Sequence, residues 1–191
     1  ELSPALRSQL HLSLACALIT AREHAQTQIE ADEAVALAEQ VGDPALLSYC
    51  LTVSTWFRGM SDIDWALSVL DRARQIADGC GSRGLVQQAG IYRSMFLYLS
   101  GCPRQAVKIT RTMVEEGLAS RYVFALAHQN IAAMTIVDDP DTSARSWALF
   151  RDTMRQEEDL ADWTITLLIA ISEALHGDLG AIGPALAETQ R

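Results

Sequence analysis

The side chains able to do chemistry in this 191-residue chain are few and spread out. Four histidines, His11, His24, His128 and His176, stand far apart. None belongs to a His-Glu-x-x-His pair that could hold zinc on one helical face. Paired acids occur as Glu115-Glu116 and as Glu157-Glu158-Asp159. Two carboxylates can divide general acid and base roles. Both runs fall where helical patterns end, however, and a solvated helix terminus accounts for them. Gly79-Cys80-Gly81-Ser82-Arg83-Gly84 has the glycine density of a phosphate loop. It lacks a preceding strand and the Gly-Lys-Ser/Thr ending that reaches phosphate and magnesium, so it reads as a turn between repeats. The cysteines, Cys16, Cys50, Cys80 and Cys102, contain no Cys-x-x-Cys spacing, which disfavours a zinc or redox site. Cys16 and Cys50 lie on helical apolar faces and read as small core residues. With no nucleophile, base or metal set, the expectation is a protein without catalytic residues, metal or cofactor.

Arg58 and Arg93 are a different case. A guanidinium can take a carboxylate or phosphate through two parallel hydrogen bonds. The simpler alternative is an ion pair with a nearby acid.

The element that must position these groups is a helical hairpin from Asp43 to Cys80. Asp43 is an N-cap, and Pro44 stands at the first helical position, where its missing N–H costs nothing. Leu46, Cys50, Val53 and Phe57 follow at helical spacing. Gly59 to Asp62 interrupt the pattern, and a second helix places Ala66, Val69, Leu70, Ala73, Ile76 and Ala77 on one face. Such a pair cannot bury its own apolar stripe, so copies are expected. Copies of Ala66 fall at Thr27, Ala106 and Ala144, at intervals of 39, 40 and 38 residues. Twelve residues before each stands a small residue, Ala15, Ser54, Ser94 or Ala132, with Ala170 in a fifth copy. The period predicts an all-α chain of about five antiparallel helix pairs, one repeat domain over residues 1–191.

Taken in order, the expected helices are Pro4–Thr20, with Leu10, Leu14, Ala15 and Leu18 inward, and His24–Val41, with Ile29, Ala34, Leu37 and Ala38 inward. After the central hairpin come Arg83–Leu99, Pro103–Glu116, Ser120–Val137 and Ala144–Glu158. The cluster from Asp138 to Thr142 reads as a capped turn. Leu160–His176 and a weak segment from Leu179 to Thr189 complete the set. Trp56, Trp65, Trp147 and Trp163 fall on helices and are expected in packing between repeats.

The net charge is −9, from 24 acidic and 15 basic residues, which argues against a nucleic-acid surface on this segment. No basic start with an apolar run marks a signal peptide. No apolar stretch approaches the roughly 20 residues that span a bilayer. The cysteine usage suits a reducing cytoplasm. The first residue is Glu1 rather than Met, so the chain is expected to be a piece of a longer protein or a processed one.

The motif EAVALAEQVGDPALL from Glu33 to Leu47, followed by Ala66 and Ala73, resembles the tetratricopeptide repeats. The period of 38 to 40 exceeds the usual 34 of that family. It is similar to the longer variant in the sensor arms of large bacterial regulators of the LuxR and antibiotic-regulatory type, such as the maltose regulon activator. The family's Trp is missing, with Cys50 and His128 at two of its places, and Arg151 stands where Ala34 and Ala73 are small. The resemblance implies a right-handed superhelical solenoid serving as a cytoplasmic ligand-sensing or protein-docking arm. Its ligand would be a protein, a peptide or a small-molecule inducer. A self-association scaffold is the alternative.

In stacked hairpins the inner wall is lined by the first helix of each pair. The repeat register puts Gln9, Leu12, Leu51, Thr55, Arg58, Gln88, Ile91, Met95, Tyr98, Gln129 and Ile136 on that wall, and Arg93 is counted as a further binding residue of the concave face. Apolar side chains with a few hydrogen-bonding tips suit a peptide or small amphipathic ligand.

Overall fold

A computed structural model describes residues 2–136 and 138–154. Eight helices follow one another: α1 (Pro4–Thr20), α2 (His24–Val41), α3 (Pro44–Arg58), α4 (Ile63–Gly79), α5 (Arg83–Leu99), α6 (Pro103–Glu115), α7 (Arg121–Thr135) and α8 (Pro140–Met154). There is no strand among the described residues, so the all-α, repeat-like expectation holds. The helices expected beyond Glu158, with Trp163 and Ala170, lie outside the described residues. The chain divides into two compact units, one ending at Ala106 and the other beginning at Val107, with the boundary inside α6.

Caps set the helix starts. Ser3 accepts a hydrogen bond from the Leu6 amide, Asp43 from Ala45 and Leu46, Asp62 from Trp65, Ser120 from Val123 and Asp139 from Thr142. Each satisfies amides that the first helical turn leaves without partners. The helices α1, α3, α6 and α8 open on proline, whose φ suits that position. At the other ends, Gly42, Gly81, Gly101 and Gly117 have φ between 70° and 84°, a conformation that side chains with a Cβ resist.

The turns also set the register of the second helices. Thr27, Ala66, Ala106 and Ser143 each donate a backbone N–H to the residue that precedes their helix: Glu23, Asp62, Cys102 and Asp139. All four are almost wholly buried. The fourth copy is therefore Ser143, and Ala144 is exposed. α8 begins at Pro140, a turn earlier than the expected Ala144, because Asp139-Pro140 repeats the cap-and-proline start of Asp43-Pro44. This one-residue slip brings Phe150 (3% exposed) inward and moves Arg151 off the small-residue position.

The inner faces of second helices recur closely. Thr27, Ala31, Ala34 and Ala38 on α2 match Ala66, Leu70, Ala73 and Ala77 on α4, each 39 residues on and each buried. Alanine at these places lets paired helices approach closely, and serine hydroxyls then reach across. Ser8 Oγ donates to the Ala34 carbonyl (2.7 Å) and Ser48 Oγ to that of Ala73 (2.9 Å). In the second unit Ser143 Oγ donates to the Ala132 carbonyl (2.8 Å).

In the first unit α3 is buried on two sides. Its Leu46, Cys50 and Val53 pack with Leu12, Ala34 and Ala38, while Leu51 packs with Ala66, Leu70, Ala73, Ala89 and Phe96. Gly59, just past α3, lies against the Phe96 ring with no room for a Cβ. In the second unit Ala125 and Phe150 pack in one cluster with Trp147 against them, and Val123, Ala127, Ile131, Ala132 and Met134 are buried as well.

Several expected core positions face outward. Leu10 and Leu14 on α1 are exposed, as are Ile29 on α2, Leu149 on α8 and Cys16. Apolar spacing marks which residues lie in one row along a helix, but the partner helix decides which row is covered. Among the described helices α1 packs on α2 and α3, and the leucines on its other side are exposed.

Candidate binding surface on the first helices

The expected inner wall separates into two groups. Leu51, Thr55, Gln88 and Ile91 are buried and support the wall from beneath. Leu51 belongs to the core around Leu70 and Phe96, and the Thr55 hydroxyl donates to the Thr52 carbonyl at 2.6 Å. For Leu51 the reason is the double packing of α3, which leaves a narrower open strip than an isolated hairpin would have. The accessible members in the first unit are Arg58, exposed, and Arg93, Met95 and Tyr98, half-buried. Gln9 is exposed and Leu12 is core. In the second unit Gln129 and Ile136 are half-buried.

Both arginines are already engaged. Arg58 lies 3.6 Å from Asp62, one turn on, and its guanidinium stands 4.7 Å over the Trp65 ring. Arg93 Nε donates to Asp71 Oδ1 at 2.7 Å, linking α5 to α4. These are the ion pairs of the simpler alternative. A ligand anion would have to compete with an aspartate at either place.

Aromatic residues not expected at the surface occupy the strip instead. Trp56 is 47% exposed and meets Tyr92 edge-on, with ring centroids 6.1 Å apart. The contact joins α3 to α5. Tyr49 stands two turns before Trp56 on α3, and Leu99 two turns after Tyr92 on α5, both exposed, with Met95 between. The signal was present as two seven-residue spacings, Tyr49 to Trp56 and Tyr92 to Leu99. It was masked because a tryptophan on an amphipathic helix is more often core. Arg93, next to Tyr92 in sequence, and Asp71 supply a half-exposed ion pair between α5 and α4.

Other polar groups are structural. Glu30 accepts hydrogen bonds from His11 Nδ1 and from Gln26 Nε2, each at 2.6 Å. Those bonds, His11 first and then Gln26, hold its carboxyl below the usual carboxylate value. Cys50 Sγ lies 3.4 Å from Ser8 Oγ, and burial pushes the thiol up. In the second unit His128 is buried against Phe124, with ring centroids 4.3 Å apart, and desolvation holds the imidazole below its ordinary value. No cluster of three His, Cys, Asp or Glu side chains that could hold a metal occurs among the described residues. No described helix is long and apolar enough to cross a membrane.

The surface is thus an exposed aromatic contact between α3 and α5, with an ion pair linking α5 to α4. It offers apolar area on rigid rings, which cost little entropy to immobilise. Comparison with protein-family models gives no match, and comparison with curated proteins gives none either.

Proposed function

We propose that this chain is a non-catalytic binding domain, a tetratricopeptide-like helical arm of a cytoplasmic transcriptional or signalling regulator. Its helix pairs stack into a right-handed superhelix, and a peptide or partner segment lies across the first helices on its inner wall. A small amphipathic inducer could use the same strip. The observation that carries this reading is the Trp56–Tyr92 pair, an exposed aromatic contact bridging the first helices of adjacent pairs. Neighbouring packed helices lie about 8–10 Å apart, so one extended ligand can touch both. Tryptophan and tyrosine are the residues that most often anchor interfaces.

The test is to pan a peptide-display library on the immobilised chain and measure the enriched peptides by titration. Trp56→Ala and Tyr98→Ala should each weaken binding by about 1–3 kcal/mol while the urea midpoint changes little. Arg58→Ala should cost less than about 1 kcal/mol, because its charge is already screened by Asp62 and solvent. Equal binding by wild type, Trp56→Ala and Tyr98→Ala would remove the inner wall as the binding surface.

A further inference from the structure

α1 and α3 start with the same local grammar. Ser3-Pro4-Ala5-Leu6 matches Asp43-Pro44-Ala45-Leu46, 40 residues on. Five residues after each cap stands a serine, Ser8 or Ser48, whose hydroxyl reaches the carbonyl of Ala34 or Ala73 on the paired helix. These bonds fix the equivalence of the two helices independently of their apolar pattern. Under it, Leu6 and Leu10 occupy the places of Leu46 and Cys50.

The two faces differ in what covers them. On α3, Leu46 and Cys50 are 9% and 0% exposed, because Ala34 and Ala38 of the preceding pair pack on them. On α1, Leu6 and Leu10 are 42% and 49% exposed. Leu14, 45% exposed, extends the row at four-residue spacing, the ridge that fits a facing helical groove, and Leu2, 54% exposed, stands just ahead of the helix. Isolated exposed leucines are ordinary. A continuous row is not, and α1 carries only Arg7 as a formal charge in a chain that is 20% charged.

We propose that the Leu6–Leu10–Leu14 row is a docking surface for another antiparallel helix pair of this repeat type. That pair would sit on α1 as the α1–α2 pair sits on α3, presenting alanine-sized residues four apart, like Ala34 and Ala38. The commitment rests on continuity: the open row repeats an interface that α3 already makes with the pair before it. It does not depend on the aromatic strip of α3 and α5.

The test builds the occupant from the chain itself. A second copy of residues 3–42 is fused ahead of Ser3, so that its Gly42 leads into Ser3 as it naturally leads into Asp43. The expected result is a single urea transition with a higher midpoint and a steeper slope than the natural chain. Leu10→Glu in the original α1 should abolish that gain in the fusion and leave the natural chain's midpoint unchanged. Leu10→Gln should act in the same direction more weakly, and far-ultraviolet circular dichroism checks that each variant is folded. An unchanged midpoint, a separate second transition, or a gain insensitive to Leu10 would overturn the proposal. So would a natural chain that dimerises in sedimentation equilibrium and becomes monomeric with Leu10→Glu, since the occupant would then be a second copy.

Discussion

His128 shows how one residue couples this fold to pH. Its ring is 6% exposed, and its Nδ1 has no hydrogen-bond partner among the described residues. Burial disfavours the charged form, so the native pKa lies below the ordinary value of 6.5. The unfolded chain then binds the proton more readily than the native one. The contribution to stability is fully present above about pH 6.5 and is lost as the pH falls through the lower native value. His128→Phe should flatten the decline of the urea midpoint between neutral and mildly acidic pH; parallel profiles for the two proteins would rule the mechanism out. Gly59 makes a second case. A Cβ there would overlap both the Phe96 ring and the Thr55 carbonyl oxygen, so Gly59→Ala should cost about 1–3 kcal/mol. Phe96→Leu removes the ring edge and leaves the contact with the Thr55 carbonyl, so it relieves part of the overlap. The double variant should therefore be less destabilised than the sum of the two single changes, which a double-mutant cycle measures. Neither effect was legible in the sequence. A histidine and a glycine in a helical chain acquire these roles only from what packs against them.

Single helices depend on cap, turn and small-residue stripe acting together. Ala66 is fully buried at the start of α4, and its equivalents Thr27, Ala106 and Ser143 are small as well. Ala66→Leu should destabilise by about 1–3 kcal/mol through overpacking, read as a lower urea midpoint. An unchanged midpoint would mean that the helices do not approach closely there. Ser48→Ala removes the hydroxyl bond to the Ala73 carbonyl and should cost about 1 kcal/mol, with Ser48→Thr less well tolerated because of its added methyl in a close contact. Helix existence was readable at this scale because caps and apolar rows are local. The bounds of α1, α2 and α5 agree with the sequence reading to the residue. The start of α8 was missed because Asp139-Pro140 was taken as part of a turn, although the same pair of residue types opens α3.

Across the whole molecule, the all-helical repeat-like architecture follows from a period near 40 residues. A far-ultraviolet spectrum should show helix without a measurable β component; a substantial β signal would contradict the architecture. The proposed binding strip is a property of this scale. Trp56 and Tyr92 are 36 residues apart in sequence, and only the packing of α3 beside α5 makes them one surface. Leu51, Thr55, Gln88 and Ile91, which the repeat register alone would place on an open wall, are buried, Leu51 in the cluster that α3 shares with α4 and α5.

Helix positions, turn chemistry and the repeat were determined by residues within a few places of one another, through capping geometry and the 3.6-residue period, so the sequence alone sufficed for them. Burial is different, because one apolar row can face a core, a partner or water with the same spacing. Leu10 and Cys50 hold equivalent places on α1 and α3, yet one is open and the other closed. The tertiary structure decided that difference by placing the α1–α2 pair against α3 and leaving the equivalent face of α1 uncovered.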